Sequence, residues 1–297
     1  MVGNSSTLRG PMLVLAGSLC FSTSGFLQAI APADATPYVV AGCRMLIGAA
    51  ALFLYSILRG RKLNLRGWPM KNVALYAFAL WAFQIVFFNS LLVVGVAVGT
   101  VVSIGVTPIA SGLISWVFEK KAPGFFWYPA TLIAIAGLVL INATENLNFE
   151  ASDLLLPILA GLCYAVEIAV AKPLTEHHTA EESMMFIMAI VGVGLLPFFF
   201  FNPVAWIFTA PGFAVTASLG IVTAACAFSL LVAGLKTTAA ATASTLCLAE
   251  PMGAALLGIL ALGEPCSIKT VAGITCIFVA ILVLVYGEAH PKRKGKH

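Results

Sequence analysis

Apolar runs of about twenty residues, long enough to cross a bilayer core, alternate with short polar breaks along this whole chain. They predict ten membrane helices, over 11–31, 37–58, 70–91, 95–118, 124–142, 154–173, 183–202, 212–234, 238–262 and 268–287. The first run is read as a retained helix and not as a signal peptide: its apolar stretch is long, and Pro32 directly follows the Ala29-Ile30-Ala31 that imitates a cleavage site.

The ninth run carries a carboxylate and a proline side by side at its centre, Glu250-Pro251. Proline lacks the N–H that a helix needs, so the expected geometry is a bend there. Thr107-Pro108 occupies the same place in the fourth run, 143 positions earlier, and Cys20-Phe21 stands at that spacing from Cys163-Tyr164. The chain therefore reads as a tandem duplication of a five-helix unit, over 1–144 and 150–297, with Pro108 and Pro251 as paired hinges. An odd number of helices per unit inserts the second copy upside down. Inverted repeats of this kind are the build of secondary transporters, whose sites lie near the bilayer midplane at irregular helices.

Composition agrees, with 61% hydrophobic and 9% charged residues and a mean hydropathy of +1.02. The few charges also set an orientation. With the N-terminus in the cytoplasm, 14 of the 16 Lys and Arg residues fall on cytoplasmic segments, among them the Arg59–Lys71 loop and the Lys292–Lys296 tail. Lys269 lies outside, Arg44 lies within the second helix, and the external segment after helix 5 holds Glu145, Glu150 and Asp153. The net charge of +4 thus has a membrane explanation and calls for no nucleic acid. The seven cysteines show no metal-finger spacing and read as small core residues.

Ten helices in a five-plus-five duplication resemble the drug/metabolite transporter superfamily, and its EamA-type bacterial exporters in particular. The residues that carry the likeness are the AGSLCF of the first helix, Arg44 in the second and the proline and Gly-Glu of the ninth. The resemblance covers nearly the whole chain. It implies a ten-helix bundle around a central cavity, exporting amino acids or other small metabolites across a bacterial inner membrane. Family members close the fourth helix of each repeat with a glutamate 13 residues after the proline. Glu264 fits in the second copy, whereas in the first Lys121 holds that place and Glu119 comes two residues early.

Ionisable groups at bilayer depth mark sites or pathways, which singles out Glu250, Arg44 and Glu167. Glu250 is read as a contact for a substrate ammonium or for a coupling proton, or as a structural partner of Arg44. Arg44 can clamp a carboxylate with its planar fork or serve only that pair. Glu167, one to two turns from the cytoplasmic end of its helix, is read as a coupling group or as a side chain that snorkels to the interface. Thr107 and Ser111 beside the first hinge, Ser22, Gln84 and Tyr164 are expected to line the cavity. Trp68 and Trp127 are taken as interface anchors, His177 and His178 as loop residues, and Gly95-x-x-x-Gly99 as a helix-packing motif.

No cofactor or metal is expected, since there is no H-E-x-x-H and no histidine in any predicted helix. The partners expected are a small-molecule substrate and the lipid bilayer, with the chain a monomer or a weak homodimer. A passive channel or facilitator, or an intramembrane enzyme, stands as the alternative to a transporter.

Overall fold

The structure is a computed structural model and describes residues 4–61, 64, 66–118, 120–142 and 150–290. Lys62, Glu119, Glu145, the tail Lys292–Lys296 and His297, which entered the reading above, lie outside the described residues. Everything described is helix or connection. Nine helices are long and apolar enough to cross a membrane: α1 (Leu8–Ala29), α2 (Pro37–Leu58), α3 (Met70–Val94), α4 (Val96–Phe118), α6 (Ala151–Leu174), α7 (Ala180–Phe200), α8 (Ala210–Leu235), α9 (Ala240–Leu262) and α10 (Ile268–Ala289). The shorter apolar helix α5 (Trp127–Ile141) makes the tenth. Every expected run is a helix.

The packing repeats under exchange of helix n for helix n + 5. Helix α3 lies against α6, as α1 lies against α8, while α2 pairs with α7 and α5 with α10. The last two pairs run antiparallel. Going up α2, Gly42 lies against Phe199 and Leu195, Leu46 against Gly192, and Gly48 against Met188. In the other pair, Phe126 lies against Gly287 and Gly137 against Gly273. Equivalent helices that pair antiparallel belong to inverted repeats, as the odd helix count requires. Ring contacts show the same relation: Phe21 meets Phe228 at 4.8 Å, and its counterpart Tyr164 meets Phe83 at 5.6 Å.

Small residues allow these approaches, as is usual where lipid supplies no hydrophobic driving force. A Cβ on Gly137 would stand 2.6 Å from the carbonyl oxygen of Gly273, and one on Gly273 would stand 2.5 Å from that of Gly137. Gly48 and Gly220 bring α2 and α8 together in the same way. Gly95 does something else. Its φ of +81° makes the turn between α3 and α4, so Gly95-x-x-x-Gly99 is not a helical packing face.

Apart from the 3₁₀ turns that open α6 and close α7, three helices depart from regularity within their length, and all three adjoin the centre. Helix α9 breaks after Leu246 and resumes at Ala249. Pro251 has no N–H to give the carbonyl of Cys247, and the N–H of Glu250 serves it instead, at 3.0 Å. Helix α1 is interrupted at Ser22, whose hydroxyl donates to Leu19 O at 2.6 Å. Helix α8 widens into a π-segment over Leu219–Cys226, a local form that recurs at functional positions. Helix α4, by contrast, runs without interruption from Val96 to Phe118 through Pro108.

Candidate functional site

A cavity of about 630 Å³ opens at one end of the bundle, where α1, α3, α5 and α9 finish. Its rim is made by Gln28, Leu91, Val96, Asn142, Glu264 and Thr270. From there it runs between aromatic walls, Phe83, Phe87 and Phe88 of α3 facing Phe21 and Phe228, down to Arg44, Gln84, Tyr164, Glu167 and Glu250. An apolar enclosure with a few convergent polar groups is the usual form of a small-molecule site.

The opposite end of the bundle is closed by contacts of another kind. Trp68 stacks on His178 at 3.6 Å with the planes nearly parallel, and Phe186 packs beside it. Arg61 and Glu181 form the one ion pair among the described residues, at 3.8 Å. The first half of α9 plugs the space above them, every residue from Ala240 to Leu246 buried. Three hydrogen bonds tie it to the α5–α10 pair. Trp127 Nε1 donates to Ala241 O at 2.8 Å, Thr131 and Thr245 share a hydroxyl bond at 2.8 Å, and Thr242 donates to Glu288 at 2.9 Å.

Trp68 and Trp127, near helix ends as expected, are half-buried in tertiary contacts. His178 lies in the loop between α6 and α7 as expected but is only 5% exposed, while His177 beside it is exposed.

Of the residues singled out above, Glu250, Pro251, Arg44, Gln84, Tyr164, Glu167 and Ser22 line the cavity. Thr107, Pro108 and Ser111 do not. Thr107 is buried in the seam between α4 and α6, where its hydroxyl lies 2.9 Å from Ser103 O and 3.3 Å from Gly161 O. Ser111, fully buried, packs in the same region. At the matching seam of the second repeat α9 is broken, and that break puts Glu250 into the cavity wall.

Ser22 sits where α1 itself is interrupted, against the second half of α9; a Cβ on Gly253 would meet its hydroxyl. The Cys247 thiol, at the break in α9, faces Tyr164 and Ser18. Glu167 does not snorkel, being 1% exposed and turned into the bundle.

The three charges stand in one another's field without touching. Arg44 acts on Glu250, Glu167 and Tyr164, yet no carboxylate comes within 4.0 Å of its guanidinium. Arg44 Nε, Gln84 Nε2 and Glu167 Oε1 are all buried without a hydrogen-bond partner. Unsatisfied polar atoms that converge on one cavity are what a site for a polar solute requires, because each is costly to leave unpaired. The individual phenylalanines of the wall and the rim residue Asn142 were not singled out from the sequence. Phenylalanines that face a cavity look the same there as phenylalanines that face lipid.

Two segments, residues 8–143 and 152–286, each match the EamA-like transporter family, one match per five-helix repeat. The chain belongs to this family. It is also 31% identical over 284 residues to "Uncharacterized transporter YwfM" of Bacillus subtilis (strain 168), across 95% of each chain. A protein of known crystal structure superposes with a TM-score of 0.81 over 92% of this chain and 95% of its own, at 19% identity, which speaks for the fold alone. This EamA-family protein is thus a multi-pass membrane transporter and not an enzyme. Its charged cavity lies between the repeats, where such transporters keep their sites.

Proposed function

We propose that the chain is a secondary active exporter of small amine-bearing metabolites, amino acids foremost, working by alternating access. The observation that carries this reading is the one-sided cavity with Arg44, Glu167 and Glu250 at its deep end. In the proposed arrangement Glu250 receives the substrate ammonium, Arg44 and Gln84 meet its carboxylate or other acceptors, and Tyr164 and Ser22 complete the wall. Pro251 marks the hinge between the plugged first half of α9 and the half that lines the cavity. Pro108 is its counterpart in the first repeat, with Thr107 and Ser111 as packing residues around it.

The functional division follows the repeats, 1–144 and 150–297, with the chain acting as a monomer or weak homodimer. Charge placement supports cytoplasmic termini in a bacterial inner membrane, so the open end faces outward and the Trp68–His178 end faces the cytoplasm. A passive channel needs a path open through its length, usually ringed by like polar groups. The buried plug Ala240–Leu246 argues against one.

The test is counterflow in liposomes that hold the purified chain and a labelled amino acid. An alternating carrier releases label faster when unlabelled substrate is added outside. Efflux indifferent to external substrate gives the channel reading the advantage, and no flux of any amine-bearing solute removes the substrate class.

A further inference from the structure

Two carboxylates share one guanidinium in this cavity, and their surroundings differ. Glu250 stands in the first turn of the half-helix Ala249–Leu262 and is only partly buried. The positive end of a helix dipole and the open cavity beside it both favour a negative charge there. Glu167 lines the same cavity but has no helix start beside it. It lies within α6, seven residues before the end of that helix, 1% exposed, and its Oε1 has no hydrogen-bond donor. An ionised oxygen so placed, far from water and without a partner, is a state that the molecule leaves by taking up a proton or by capturing Arg44.

The groups around Glu167 narrow the choice further. It faces Arg44 from α2 and Tyr76 from α3, and Cys163 and Tyr164 on its own helix. Helix α9 adds Cys247 and Glu250 on the far side of Tyr164. Helix α4 carries no titratable side chain between Val96 and Phe118, and the only one on α8 is Cys226, which is exposed. Arg44 is thus the one cation in reach, and it is also the one cation in reach of Glu250. Seven residues separate Glu167 from the end of α6 at the closed face, about 10 Å at the helical rise. Glu250 is ten residues from the start of α9 on that same face.

We infer that Glu167, and not Glu250, is the proton site of this transporter, with Arg44 changing carboxylate partners as that proton comes and goes. With a proton on Glu167, Arg44 compensates Glu250, and the site is closed to a substrate ammonium. When Glu167 releases its proton to water at the face then open, its carboxylate takes Arg44. Glu250 is freed to bind the ammonium. One proton thereby exchanges for one amine, and the two cannot occupy the cavity together. This deepens the exporter reading above and rests on it for its transport consequences, but the location of the proton does not depend on any substrate.

Infrared titration of the purified full chain in lipid detects protonated carboxylic acid directly. The buried acid carbonyl band should disappear at every pH in Glu167→Gln and remain only at the acid end of the titration in Glu250→Gln, where Arg44 has Glu167 alone left to pair with. Its retention in Glu167→Gln, its loss at every pH in Glu250→Gln or its absence from the wild type overturns the assignment. A carbodiimide, which labels protonated carboxyls in apolar surroundings, gives the same answer on the unmutated chain and so does not depend on a variant folding. Mass spectrometry should find the adduct on Glu167, and an adduct on Glu250 instead overturns the proposal. In liposomes Glu167→Gln, which mimics the protonated state and leaves Arg44 on Glu250, should slow amine efflux at every pH and remove its response to an imposed pH step. A pH response that survives overturns the coupling role. A wild type that moves no amine at all sinks the exporter reading while the infrared result stands.

Discussion

Gly137→Ala tests the inverted packing at its tightest point. The added methyl would stand 2.6 Å from Gly273 O, 2.9 Å from Cys276 Cβ and 2.9 Å from Ile277 Cγ1. Ordinary contacts of these kinds need about 3.4–4 Å, so α10 must retreat by several tenths of an ångström along a seam of two rigid helices. Overpacking of this kind costs about 1–3 kcal/mol. At about 1.4 kcal/mol per factor of ten, the middle of that range lowers the folded-to-unfolded ratio about thirtyfold.

Gly105→Ala makes the same chemical change in α4, but its methyl meets only Leu138 Cδ2, at an ordinary 3.7 Å. There the gain in helix propensity, up to about 1 kcal/mol, stands unopposed. Denaturation in mixed micelles, followed by helical circular dichroism, should therefore give opposite signs for two alanine substitutions in neighbouring helices. Equal stability of Gly137→Ala and wild type would refute the close α5–α10 approach. A loss in Gly105→Ala would refute the space assigned around it.

Three further outcomes are expected. Glu250→Gln should abolish amine export while the protein stays folded and abundant; if the residue only balances Arg44, the change instead lowers thermal stability and Arg44→Gln partly restores it. Trp127→Phe removes the bond to Ala241 O and should lower stability by about 1 kcal/mol; an unchanged melting point would mean the plug is held otherwise. Phe126→Cys paired with Gly287→Cys, where a Cβ on Gly287 would stand 2.8 Å from that of Phe126, should cross-link under mild oxidation, and no cross-link would count against the antiparallel α5–α10 pairing.

The sequence showed the ten helices because bilayer thickness dictates their length, and a run such as 268–287 has no other way to hide its backbone. Arg44, Gln84, Glu167 and Glu250 were readable for a related reason: a polar side chain in such a run stands out wherever it points. Thr107 was placed in the wrong surroundings because a hydroxyl is satisfied by its own helix carbonyl, here Ser103 O, and demands no cavity. The break at Ser22 and the π-segment of α8 carry no proline and left no mark. Trp127 and Trp68 looked like anchors from their positions near helix ends. Their actual contacts join residues more than a hundred positions apart, which no local pattern reports.

The duplication has one more consequence. A chain of two identical inverted halves can exchange the roles of its halves, so its inward- and outward-facing forms are one state turned over by a two-fold rotation, with equal energy. Here the register that pairs Pro108 with Pro251 sets Glu250 against Thr107, Arg44 against Ile187, Glu167 against Ser24 and Gln84 against Ala227. Each pair has kept its charge or amide on one side only, and α9 is broken where α4 is whole. The degeneracy is lifted. Under the alternating access proposed above, one facing becomes the ground state, and the energy gap between the two is written in the polar differences between the halves rather than in either half alone. On that proposal, substitutions at the second member of each pair, 143 positions along the chain from the charge or amide itself, tune the resting direction of the protein.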